Sequence, residues 1–336
     1  MSRVVEKVLL ALLPVPFGVA LLAPGVAQEP VDSEVVFAFA DPEVVESSGL
    51  VLQDGLAVTV NDSGDSNRVF TIDPATGETV GVTRWQGEAT DIEALAPAGD
   101  GHVWVGDIGD NLAARRTVTV TKVPVGRGDR EVRAPSYRLS YDGGPRDAET
   151  LLTEPGTGRL YVVSKGVFGR VYAAPEELSE DRVNELEPVD EVLGIATDGA
   201  FFPDGRHVII RNYTQAAVYT WPALDRVALL DLPSQQQGEG LAVTADGEVL
   251  LSSEGQAAEV LRVELPADVR AAVDGSATGA PADAATDGDS RADGEDGEDG
   301  ESVPVRAEER DWWPWALGGV AGAVIVVVLL RALRPR

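Results

Sequence analysis

The carboxylates of this sequence are gathered into short, glycine-punctuated clusters. GDIGDN (106–111) and NDSGDS (61–66) each follow an alternating apolar run, VWV and AVTV, while the triplets DIE (91–93) and DAE (147–149) each open a further apolar stretch. The oxygen donors Asp62, Asp91, Glu93, Asp107, Asp110, Asn111, Asp147 and Glu149 form one candidate metal set. The chain has no Cys and only two His, so this hard-oxygen inventory suits calcium rather than zinc or copper. Period-two alternation puts Asp91 with Glu93, and Asp147 with Glu149, on the same side of their strands. Glu93 and Glu149 are the candidate general acids or bases. Lys165, Arg211, Tyr213, Arg116, Glu239 and Glu254 are candidate ligand-binding groups around them. So many like charges repel unless a cation neutralises them or their pKa values shift, and with an Arg and a Lys the set suits a calcium-bridged phosphate or carboxylate. The alternative reading is that Asp, Asn and Gly in such loops bond their own backbone in Asx turns. NDSGDSN lacks the spacing and the terminal Glu of an EF-hand loop.

Five segments share one grammar that would position these groups: a short apolar strand, a Gly turn, a strongly β-forming strand, a polar loop and a third strand. The turns are LQDG, GDG, GTG, PDG and ADG, each of the hairpin kind. Four of the five units are followed by a further apolar stretch, ETVGVTRW, SYRLSYD, VDEVLG and RVALLDLP. Four antiparallel strands repeated every 40 to 55 residues or so predict an all-β β-propeller. Five blades are counted, with six as the alternative if 117–144 or 176–194 hides another. The N-terminal EVVFAFAD has no unit of its own and is expected to close the last blade, which lacks a fourth strand. A β-sandwich would not explain five similarly ordered units. In a blade the second-to-third loop lies at the same end as the start of the first strand, so GDIGDN, NDSGDS, DIE and DAE converge on one mouth. His102 and His207 fall at the other mouth, as turn residues.

Both termini carry localisation signals. Residues 1–27 run from Arg3 and Lys7 through a charge-free stretch to Gly25 and Ala27, the order of a secretory signal peptide. From Trp312 to Leu330 there is no charge, enough for one membrane-spanning helix. Trp312, Trp313 and Trp315 lead it and Arg331, Arg334 and Arg336 follow it, which places the C-terminal tail (331–336) in the cytoplasm and residues 28–266 outside the cell. Residues 267–311, rich in Ala, Gly, Asp and Glu, are expected to be a disordered acidic linker. The net charge of −29 argues against nucleic acid as a partner.

Taken together, NDSGD, D-(aromatic or Ile)-E, GDIGDN with a nearby Arg, DAE-(A/T)-L, G-x-LY-x-V-(S/T)-K, PDG-x-x-V-x-x-R-x-Y, GE-(A/G) and SEG resemble the pattern of a family of secreted bacterial β-propeller proteins. The resemblance spans Ser48 to about Glu254. Ile92 stands where an aromatic is common in that family. The family has no established activity, and its architecture is similar to that of extracellular propellers that bind calcium or hydrolyse phosphate and carboxylic esters. Two function classes follow. The first, which leans away from catalysis, is a membrane-anchored cell-surface module that binds an extracellular ligand or envelope protein through an acidic, calcium-binding mouth. The alternative is a calcium-assisted hydrolase of phosphate or carboxylic esters. No G-x-S-x-G, P-loop, H-E-x-x-H or dinucleotide fingerprint occurs, so other hydrolase and nucleotide chemistries lack support.

Overall fold

The computed structural model describes residues 29–62 and 64–274. The fold is all-β, in keeping with the short alternating runs of Val, Leu, Ile and Thr. In chain order the strands are β1 (Ser33–Ala38), β2 (Ser47–Gln53), β3 (Leu56–Asn61), β4 (Arg68–Asp73), β5 (Glu78–Trp85), β6 (Ile92–Pro97) and β7 (His102–Asp107). There follow β8 (Val118–Pro124), β9 (Arg130–Val132), β10 (Ser136–Tyr141), β11 (Ala148–Thr153), β12 (Leu160–Ser164), β13 (Gly169–Ala173) and β14 (Asn184–Val192). The chain continues through β15 (Asp198–Phe201), β16 (His207–Arg211), β17 (Gln215–Thr220), β18 (Arg226–Asp231), β19 (Gly238–Val243), β20 (Val249–Ser253) and β21 (Glu259–Val263) to α1 (Ala267–Val273).

Antiparallel pairing builds five groups of four: β2-β3-β4-β5, β6-β7-β8-β10, β11-β12-β13-β14, β15-β16-β17-β18 and β19-β20-β21-β1. In the last group β1 lies against β21, with Val35 opposite Leu261, so the N-terminal strand completes the C-terminal sheet. The first strand of every group is a sheet edge. These edges meet one another: β2 packs beside β6, β6 beside β11, β11 beside β15, β15 beside β19, and β19 beside β2. The cycle gathers five free edges at the centre, away from other chains. Outer edges are joined as well, β10 to β14 and β5 to β9, both in parallel. The stretches 117–144 and 176–194 therefore hold β8 to β10 and β14, and the described residues contain no sixth group.

Five hydrophobic clusters fill the spaces between neighbouring groups. Val58, Val60 and Val69 meet Leu95 and Val103 between the first and second groups, while Leu50, Phe70 and Phe39 meet Leu250 and Val260 where the last group meets the first. Both faces of the inner strands are buried by this arrangement, which is why β2, β6, β11 and β19 read as nearly continuous apolar runs. The turns between first and second strands use the glycines that the sequence supplies, Gly101 (φ 71°) and Gly205 (φ 63°) among them, in backbone conformations that side chains disfavour. α1 lies on residues assigned to the linker from sequence. Its Val269 and Val273 are buried against the cluster of the last two groups, so the fold extends through Val273 because two valines at helical spacing find an apolar surface. The proposed signal peptide, most of the linker and the proposed membrane span lie outside the described residues. Among those described, no helix is long and apolar enough to cross a membrane.

Candidate functional site

One register position of the inner strands carries the chemistry. Ser48, Glu93, Glu149 and Glu239 each stand second in their first strands and Asp198 stands first in its own, one residue before Gly49, Ala94, Thr150, Gly240 and Gly199 respectively. In four of the five, all but Asp198, the pairing register with the second strand shifts at this residue. A bulge of this kind inserts an extra residue and re-aims its side chain. The second strands end alongside, with Asn61 opposite Ser47, Asp107 opposite Ile92, Ser164 opposite Ala148, Arg211 opposite Asp198 and Ser253 opposite Gly238. The loops that follow these strands thus rise at the same end as the carboxylates.

Asp62, Asp91 and Glu93 form the tightest group: one carboxylate oxygen of each lies within 4.8 Å of the others. Glu93 is 4% exposed and accepts a bond from Ser48 Oγ at 2.9 Å. Burial, with the like charges of Glu149 and Asp62, pushes its pKa up to about 10. The space for this triad is made by Gly109 of GDIGDN. A Cβ there would come within 2.4 Å of Asp91 Oδ2 and 2.7 Å of Glu93 Cγ. The second glycine of the motif is a close approach of backbone to carboxylate, beyond its part in the turn.

Glu149 and Glu239 flank the triad. Glu149 pairs with Lys165 through Oε1, and its Oε2 is buried with no hydrogen-bond partner. Burial raises its pKa to about 7 against the opposing pull of Lys165. Glu239 is 3% exposed, its Oε2 is likewise buried and unpartnered, and burial with the charge of Glu149 raises it to about 8. Gln237 donates to Glu254 and, at 3.4 Å, to Glu239. Glu254 is also raised, by burial and then by Asp62 and Glu46. The Lys165 ammonium stands 5.1 Å from the centre of the Tyr213 ring. Burial disfavours its charge, but Glu149 and Tyr213 more than offset this and push its pKa up.

The remaining sequence candidates have other employment. Asp107 accepts from Asp91 N (2.9 Å) and Thr90 N (3.2 Å) and pairs with Arg115 at 2.8 Å. Asp110 accepts from Ala114 N and Arg115 N, and Asp147 accepts from Asp110 N at 2.8 Å, which ties the second group to the third. These three carboxylates act as loop and interface staples, the Asx chemistry of such loops. Asp147 is drawn to the GDIGDN loop by Asp110 N, whereas its counterpart Asp91 joins Glu93 and Asp62. Asn111 and Arg116 are exposed, and Arg115, which also donates to Gly109 O at 2.6 Å, is the arginine that organises GDIGDN. Arg211 is not at the mouth: it is fully buried and donates to Asn212 O, Gly240 O, Ser252 O and Gln235 Oε1. Burial lowers its pKa to about 10 despite Glu239 and Asp198. In NDSGDS, Asn61 and Asp65 are similarly structural, Asp65 holding Arg68 at 2.8 Å.

Two contributors escape a motif search: Ser48 supports Glu93, and Gln237 bridges Glu239 and Glu254. Asp198, of the strand entry TDGA, closes the floor. Asp198 is fully buried, accepting from Leu241 N (2.7 Å), Leu50 N (3.3 Å) and Gly199 N (2.8 Å). It links three inner strands across the cycle. Burial raises its pKa against the opposing pull of those three N–H groups. Aligning the five units on their Gly turns would have pointed to Ser48, which occupies the Glu93 position. Compared with known proteins, the chain matches no family model and no curated sequence.

Proposed function

We propose that the chain is a five-bladed β-propeller held outside the cell by a C-terminal membrane anchor, and that its carboxylate-lined end is a calcium-dependent binding module. Its ligand is an extracellular molecule or an envelope protein. The observation that carries this reading is the Asp62–Asp91–Glu93 triad flanked by two buried, unpartnered glutamate oxygens. Buried polar atoms without a partner are rare in folded proteins, and two such glutamate oxygens beside three clustered carboxylates favour a cation. Asp62, Asp91 and Glu93 would hold the ion, with Glu149 and Glu239 within electrostatic reach. Lys165 and Tyr213 at the rim would orient an anionic group bridged by the metal. The cycle of first strands supports the propeller, and the terminal sequences support export and anchoring.

The test is metal analysis and thermal melting of the full-length chain in mild detergent. Calcium at a hundredfold excess over Kd is expected to stabilise the metal-stripped chain by about 3 kcal/mol, and Glu93→Gln to remove most of that response. No bound metal and an unchanged melting temperature with calcium would refute the site. A second reading, a calcium-assisted ester or phosphoester hydrolase, is favoured by one observation. Glu149, with a pKa raised to about 7, is poised for proton transfer at neutral pH beside the candidate cation. Screening phosphate and carboxylic esters with Glu149→Gln decides it: activity that survives the substitution removes Glu149 from that role.

A further inference from the structure

We infer that the opposite end of the ring of inner strands is a second binding site, which takes a small apolar molecule bearing one carboxylate. The site is distinct from the carboxylate mouth and the inference does not depend on calcium. A cavity of 590 Å³ opens there, reached by all five first strands, within the size range of small-molecule sites. Its side-chain wall is apolar: Leu52, Phe201 and Val243 stand half-buried around it, the Trp104 ring forms one side, and Leu50 and Leu151 lie at its floor.

One charged group in this wall lacks an anionic partner. The Lys122 ammonium lies 5.8 Å from the centre of the Trp104 ring and enters no ion pair among the described residues. The one carboxylate lining the cavity, Glu154, is already met by Thr157 Oγ1 (2.6 Å), Trp221 Nε1 (2.8 Å) and Tyr161 Oη (3.3 Å). A lysine left unpaired in a chain of net charge −29 is notable, since the only other lysine in the described part, Lys165, pairs with Glu149. An apolar wall with one unpaired cation matches a ligand whose body is aromatic or aliphatic and whose head is a carboxylate. The ammonium beside Trp104 fixes where the head sits, and the leucine, valine and phenylalanine side chains of the wall meet the body.

The experiment uses the full-length chain in nanodiscs, with calorimetry and saturation-transfer NMR. The probes are 2-naphthylacetate, the neutral 2-naphthylethanol and the cationic 2-naphthylethylamine. The carboxylate is expected to bind at least tenfold more tightly than the alcohol, and the amine not at all. Lys122→Met should bring the carboxylate down to the level of the alcohol, while Lys122→Arg retains most of the preference. Val243→Trp, which fills the cavity, should abolish binding of both, and Leu52→Trp does the same should the first variant fail to fold. EDTA should leave all of these results unchanged, which separates this site from the carboxylate mouth. Equal binding of the three probes, no binding of any, or binding that survives both filled variants would overturn the inference.

Discussion

The same five strands present opposite chemistries at their two ends. At the N-terminal ends stand Glu93, Glu149 and Glu239, all at most 4% exposed, with Asp62 and Asp91 beside them. Some four residues further along the same strands the ring is walled by leucine, valine and aromatic side chains around a single unpaired lysine. Asp198 stands between the two, its carboxylate bonded to the backbone of three strands. The difference teaches that a ring of strand edges is chemically neutral by itself. Bulges turn carboxylates inward at one end, the regular pleat keeps apolar side chains at the other, and one buried carboxylate keeps the ends apart.

The largest effect is therefore expected at the divider. Asp198→Ala leaves the N–H groups of Leu50 and Leu241 buried without an acceptor, each costing about 1–3 kcal/mol, so a total of about 2–6 kcal/mol is expected. For a fold of this size that lowers the melting temperature by about 10 °C. Asp198→Asn, which keeps one acceptor oxygen, should fall in between. A melting temperature within 2 °C or so of the parent for Asp198→Ala would show that the two ends are not held apart by this residue.

The next effect belongs to the carboxylate end alone. Glu149, Glu239 and Glu93 have pKa values raised to about 7, 8 and 10. A raised acid favours the protonated form in the fold, so its contribution to stability is complete below the ordinary carboxylate range and is lost as pH rises through the folded value. Metal-stripped protein should therefore lose stability between about pH 5 and 10, with a slope on the order of 1 kcal/mol per pH unit for each group. Calcium should flatten the curve by favouring the ionised carboxylates. A melting temperature that climbs with pH in EDTA would contradict the burial argument.

Much of the scaffold was legible because local signals repeat. Gly turns such as those of Gly101 and Gly205, alternating Val-rich runs and an unmatched N-terminal strand all act over a few residues, and they suffice to place GDIGDN, NDSGDS, DIE and DAE at one end. The division of labour among those motifs was not legible. Asp91 and Asp147 occupy equivalent places in DIE and DAE, yet one joins the triad and the other staples Asp110 N. What separates them is partners distant in sequence, Asp62 for the first and the GDIGDN loop for the second. Arg211 was misplaced for a related reason, since the hydrogen bonds that bury it come from Gly240 and Ser252 of the next group. The parallel pairings of β5 with β9 and β10 with β14 leave no local signature either.

Gly109→Ala probes the triad without touching a charge. The added methyl would lie within 2.4 Å of Asp91 Oδ2 and 2.6 Å of its Cγ, so the carboxylates must move. An overpacking cost of about 1–3 kcal/mol is expected, together with loss of the calcium response and no change at the apolar cavity. Retention of the full calcium shift would mean that the ion does not use this triad.

The smallest effect separates motif membership from function. Asn111 and Arg116 belong to the acidic loop by sequence, but both side chains are exposed and neither forms a hydrogen bond or ion pair with a described residue. Asn111→Ala and Arg116→Ala should each change stability by less than about 0.5 kcal/mol and leave the calcium response intact. Arg115→Ala, one residue away, removes the cation from Asp107 and the donor to Gly109 O, and should weaken both stability and calcium binding. If Arg116→Ala proved the more damaging of the two, the exposed rim of the loop would be contacting ligand directly. The contrast between the two ends would then extend outward from the ring of strands to the loops above it.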